Sequence, residues 1–148
     1  MLSIDCQSHV FPPEYAELLT QNEGRLQATG GDGIYTIDYW GIQRFRLELE
    51  AYSVERKLDA MNAAGVDVSV LSVNIPSTEL LDPELALKGA QLCNNYLAEV
   101  CQAHPNRFVA IASLPLSDVD ASIKELDRSI DDLNLRGIFL VSNINDQP

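Results

Sequence analysis

The chain is short of basic residues, histidine and cysteine. Ten Lys and Arg stand against 22 Asp and Glu, for a net charge of −12. So few cations exclude nucleic acid, whose phosphates need a Lys/Arg surface, and anionic membrane surfaces. No run of about 18 apolar residues occurs, which excludes a membrane-spanning helix. The start, Met1-Leu2-Ser3-Ile4-Asp5, lacks the basic and apolar regions of a secretory signal. The three cysteines, Cys6, Cys93 and Cys101, are odd in number and have no C-x-x-C spacing. That excludes a paired disulfide framework and fits reduced thiols in a cytoplasmic protein, with Cys93 and Cys101 as half-buried fillers of a helix.

What remains is a 148-residue chain, 46% apolar, enough for one core-bearing domain and short of two. Leu2 to Cys6 reads as a short buried strand and Pro13 to Leu19 as a helix with Pro in its first turn. Between about residues 22 and 49, glycines punctuate two β-rich runs that flank Trp40-Gly41, which predicts an inserted β-hairpin. Tyr35, Tyr39 and Trp40 are its packing residues.

Ser53 is suited to cap a helix carrying Val54, Leu58, Met61 and Ala64 on one face, with Gly65 closing it. Val66 to Val73 is a strand, Asp82-Pro83 opens a long helix, and Phe108 to Leu114 is a further strand. Ser117-x-x-Asp120 predicts a capping box opening a helix with Ile123, Leu126, Ile130 and Leu133 inward. Lys124 with Asp127, and Arg128 with Asp132, are spaced to pair along it. Gly137 to Val141 is a fourth strand. Apolar strands alternating with helices predict an α/β fold with about four parallel strands. The pattern fits a small open sheet and half of a barrel equally.

Candidate chemistry sits at the start. Side chains at i, i+2 and i+4 of a strand share a face, so Asp5, Gln7 and His9 are expected to point one way, and Cys6 and Ser8 the other. Imidazole is a good zinc ligand, whereas the neutral amide oxygen of Gln7 is a poor one. His104, in a helix-to-strand connection, is read as structural. The Asp-rich run from Asp118 to Asp132 is read as a solvated helix face.

Three stretches carry a family resemblance: Ile4-Asp5-Cys6-Gln7-Ser8-His9-Val10-Phe11-Pro12-Pro13, Leu58 to Leu71 with its Met61-Asn62-Ala63-Ala64-Gly65-Val66-Asp67 centre, and His104-Pro105-Asn106-Arg107-Phe108 onward to Leu116. Leu135 to Asn143 adds a fourth. Together they resemble the amino-terminal half of the amidohydrolase-related family that includes aminocarboxymuconate-semialdehyde decarboxylase. Openings of that family read Asp-x-His-x-His, so Gln7 stands where a first histidine is usual.

The resemblance implies the first half of a TIM (β/α)8 barrel, a single partial domain over residues 1–148. A full barrel takes roughly 250 residues. It implies a divalent metal, usually zinc, with Gln7 and His9 at the positions of the first two ligands. It also implies decarboxylation of small aromatic or ring-opened carboxylic acids, with Arg46 meeting the substrate carboxylate. The remaining family ligands would lie beyond Pro148, so activity from this chain alone is not expected. Alternatives are metal-dependent hydrolysis, or a non-catalytic barrel fragment serving as an interaction subunit. Unpaired edge strands lead to an expectation of self-association or of a complementary barrel half.

Overall fold

A computed structural model describes residues 1–74 and 76–142. The chain opens with β1 (Ile4–His9) and α1 (Pro13–Leu19), then runs through β2 (Leu26–Gly31), β3 (Ile34–Tyr39) and β4 (Gln43–Glu48). From there helix and strand alternate: α2 (Val54–Ala64), β5 (Val68–Ser72), α3 (Pro83–Ala103), β6 (Phe108–Ala110) and α4 (Val119–Asp127). Among the described residues no helix is long and apolar enough to cross a membrane.

Local signals set the helix ends. The Ser53 hydroxyl accepts from the Arg56 N–H at 3.3 Å, and Gly65 closes α2 with φ of 68°. Asp82 precedes Pro83 at the start of α3, but its carboxylate caps nothing there. It accepts from the Glu23 N–H at 3.2 Å instead, holding the loop ahead of β2.

β1, β5 and β6 form a parallel sheet in the order β1-β5-β6. Its helix-covered face is closed by Ser8, Ser69, Leu71, Phe108, Ala110 and Ala112, all buried, while Val70, Val109 and Ile111 on the other face are half-buried. This asymmetry suits strands that line a barrel interior on one side and pack against helices on the other.

Several sequence expectations need correction. The fourth strand is reduced, among the described residues, to one parallel bridge between Ala112 and Ile138; Asn143, the end of that stretch, lies outside them. The insertion is a three-stranded antiparallel sheet, not a hairpin. Its extra strand, β2, is locked to β3 by the Asp32-Gly33 turn, where both residues take positive φ (51° and 79°). The cap of α4 is Asp118, whose Oδ1 accepts from the Ala121 N–H at 3.0 Å, rather than Ser117.

The inward face of α4 and the turn after it is mixed rather than apolar: Leu126 and Leu133 are half-buried as expected, but Ile123 and Ile130 are not. Ser122, Glu125 and Ser129 are buried, whereas Val119, Ile123 and Ile130 are exposed. A polar seam explains it: Asn94 of α3 donates to Glu125 Oε1 and to the Ser113 carbonyl, and its Oδ1 accepts from the Ser113 N–H. Arg128 pairs with Glu125 through two contacts of 2.7 and 2.8 Å instead of with Asp132. Burying that seam leaves Ile123 and Ile130 outside.

Candidate functional site

In parallel α/β architectures, functional groups gather at the carboxyl ends of the strands. His9 is there, at the end of β1 and beside the end of β5. Its Nδ1 lies 3.1 Å from the Ser72 hydroxyl oxygen. With Ser72 accepting from Nδ1–H, Nε2 keeps its lone pair outward, the tautomer a metal ligand requires. Half-burial is the main cause that pulls the His9 pKa below its ordinary 6.5, which favours the neutral, ligating form.

The strand does not keep simple alternation. Asp5 pairs with Ser69 and Ser8 with Leu71, so two residues, Cys6 and Gln7, stand against Val70 alone. This bulge shifts the phase of β1. Neighbours across a parallel pair share a face, so Asp5 follows Ser69 and His9 follows Ser72, on opposite faces. The expectation that Asp5 shares a face with His9 is therefore overturned. Its carboxylate accepts from the Gln7 N–H at 3.1 Å. Cys6 and Gln7 are both exposed.

A cavity of about 420 Å³ opens between the strand ends and the antiparallel sheet. Tyr39, Phe45 and Phe139 give it aromatic walls, and Arg25, Asn74 and Glu79 bring polar groups to it. An apolar pocket with a few convergent polar groups is the usual form of a small-molecule site. The Arg25 guanidinium sits 3.7 Å over the Trp40 ring, which stacks on Tyr39 with centroids 5.5 Å apart. Trp40 holds φ of 58°, an outlier for a bulky residue, so the turn stores strain at the cavity rim.

His9, Gln7 and Arg46 do not line this cavity. Arg46 is on the exposed face of β4, with Nε 3.0 Å from Glu48 Oε1. Tyr39, read as a packing residue, does line it, and so do Arg25 and Glu79, which sequence reasoning passed over. Arg25 immediately precedes the unrecognised strand β2. Glu79 is in a short 3₁₀ turn (Thr78–Leu80) that no motif marks.

The donors for a metal are incomplete. Among the described residues, no group of three or more His, Cys, Asp or Glu is placed to hold a metal ion. The two candidates from the sequence, His9 and Gln7, offer one imidazole and one neutral amide oxygen. By themselves they do not make a metal centre.

Residues 4–148 match the amidohydrolase family. The chain belongs to it. This amidohydrolase-family chain is 40% identical over 104 residues to gamma-resorcylate decarboxylase of Rhizobium radiobacter, covering 70% of itself and 31% of that protein. It is 28% identical over 155 residues to 2-amino-3-carboxymuconate-6-semialdehyde decarboxylase of Dictyostelium discoideum, covering 97% of itself and 41% of that protein.

Among solved structures, 2,6-dihydroxybenzoate decarboxylase from Rhizobium superposes with a TM-score of 0.68 at 29% identity, over all of this chain and 41% of that one. The fold is accordingly an α/β partial barrel. A dihydroxybenzoic acid decarboxylase from Polaromonas shares the fold (TM-score 0.65, 22% identity, 93% of this chain and 38% of that one); it holds manganese and 2-nitroresorcinol. The chain spans about a third to two fifths of the curated relatives named here.

Proposed function

We propose that this chain is the amino-terminal, substrate-binding portion of a divalent-metal-dependent decarboxylase of small aromatic carboxylic acids. The observation that carries the proposal is the aromatic-walled cavity at the strand ends, with a guanidinium at its side. In such a reaction the bond between ring carbon and carboxyl carbon breaks, carbon dioxide leaves, and a proton takes its place on the ring. Arg25 is suited to orient the carboxylate, since a planar guanidinium matches a carboxylate in bidentate fashion. Arg46 is the second candidate for that anchor, on the family resemblance of its segment. His9 Nε2 and, more weakly, Gln7 would be ligands to zinc or manganese, completed by donors from outside the described residues. A metal so completed supplies polarisation of a substrate oxygen.

Within the described residues β1 pairs with β5 alone, so one edge of the sheet is open. Open edges seek strands, and either a second copy or a complementary barrel half would supply them. Light scattering of the purified chain at increasing concentration tests this; a monomer at all concentrations argues against self-association. A reducing, cytoplasmic setting suits the three free thiols.

The decisive experiment replaces the matching stretch of the Rhizobium gamma-resorcylate decarboxylase with residues 1–148, then assays carbon dioxide release from 2,6-dihydroxybenzoate and metal content. The expected result is activity with manganese or zinc that His9→Ala lowers at least 100-fold together with metal content. Arg25→Gln should raise KM; an effect confined to Arg46→Gln would move the anchor to Arg46. A folded, metal-loaded hybrid that opens lactones but releases no carbon dioxide would overturn decarboxylation in favour of hydrolysis. A folded hybrid with neither metal nor activity would favour a non-catalytic subunit.

A further inference from the structure

Glu79 lines the cavity and is carried on a segment held by a rigid frame. It is only 7% exposed, and its Oε1 accepts from the Ser77 hydroxyl at 2.5 Å. The segment that carries it is pinned on both sides of Ser77. The fully buried Tyr15 donates its hydroxyl to the Pro76 carbonyl at 3.0 Å, and Thr78 Oγ1 donates to the Leu114 carbonyl at 2.9 Å. A side chain fixed in this way meets a ligand without first losing its freedom.

A carboxylate has about four acceptor sites, and burying it is costly unless those sites receive hydrogen bonds. Ser77 fills one. The rest of the carboxylate belongs to a residue that lines the cavity, where a ligand can supply donors. Arg25 brings positive charge to the same cavity, and Tyr39, Phe45 and Phe139 give it aromatic walls. Such a site matches an aromatic ring that carries a carboxylate at one position and a hydroxyl or amino donor at another. A second carboxylate near Glu79 would be repelled.

Building on the aromatic-acid reading above, we infer that Glu79 is a specificity-determining residue that accepts a hydrogen bond from a ring hydroxyl or amino group. The cavity then selects hydroxy- or amino-substituted aromatic acids over unsubstituted and dicarboxylic ones. A site that hydrogen-bonds a substrate donor discriminates strongly against an analogue lacking it.

The only tryptophan, Trp40, touches two cavity residues, Arg25 and Tyr39, so its indole N–H resonance reports occupancy without any catalysis. Titration of 15N-labelled protein with benzoate, resorcinol and 2,6-dihydroxybenzoate is the test, repeated with Glu79→Gln, whose fold is checked from its remaining amide resonances. The expected result is that 2,6-dihydroxybenzoate binds more tightly than benzoate. Glu79→Gln should shrink that preference by about tenfold or more, the scale of a hydrogen bond to a charged group, and weaken resorcinol alike. An unchanged preference in folded Glu79→Gln, or no binding of any ligand, overturns the inference. Glu79-dependent binding of resorcinol with no gain from a carboxylate would uphold Glu79 and refute the aromatic-acid reading.

Discussion

Asn94 Nδ2 lies 2.7 Å from Glu125 Oε1, and through that contact a fully buried amide ties α3 to α4. Glu125 is also held by Arg128, so one carboxylate is shared between helix and amide. Asn94→Ala would leave the Ser113 N–H and the Glu125 carboxylate short of partners. The expected loss is about 2–4 kcal/mol, from stranded buried groups. Chemical denaturation should show a lower midpoint at unchanged slope.

Gly65 tests the backbone in isolation. Its φ is 68°, and a Cβ placed there would meet nothing within 4 Å. Gly65→Ala should therefore cost about 1 kcal/mol through left-handed strain alone. Thermal unfolding checks this, with far-UV circular dichroism expected to stay unchanged.

His9 should titrate below 6.5, chiefly because half-burial disfavours its charged form. The unfolded chain then binds this proton more readily than the folded one. Stability from this group is unaffected above pH 6.5 and is lost as pH falls through the folded pKa. NMR of the His9 ring protons against pH checks the midpoint; a value above 6.5 would refute it.

The thiols should separate by reactivity. Burial pushes the Cys93 thiol well above 9 and the Cys101 thiol to about 11, while Cys6 is exposed. Brief alkylation at pH 8 followed by peptide mass spectrometry should find Cys6 modified first and Cys93 protected until unfolding.

Much of the fold was legible because its signals are local. The Ser53 and Gly65 caps, Pro83 at the start of α3 and the apolar run Val68–Ser72 all depend on residues within one or two turns. The α4 face was legible only in part, at Leu126 and Leu133, since Ser122, Glu125 and Ser129 are buried only because Asn94 waits on another helix. β2 hid behind glycines that usually end strands; its register comes from the Asp32-Gly33 turn. At the site, His9 and Gln7 were readable as residue types. Arg25 and Glu79 were not, because the chain separates them widely and only folding brings them to one cavity.

The bulge in β1 makes the orientation of His9 a matter of counting. Two residues fill the place of one between Asp5 and Ser8, so the strand takes an odd step and emerges with its sides exchanged. Were the same residues paired in strict alternation, with Asp5 still opposite Ser69, His9 would be carried one place further, to Val73. His9 would then turn into the helix-covered layer without a single change in its own chemistry. Pairing register in this segment is therefore as consequential as the identity of the imidazole it delivers.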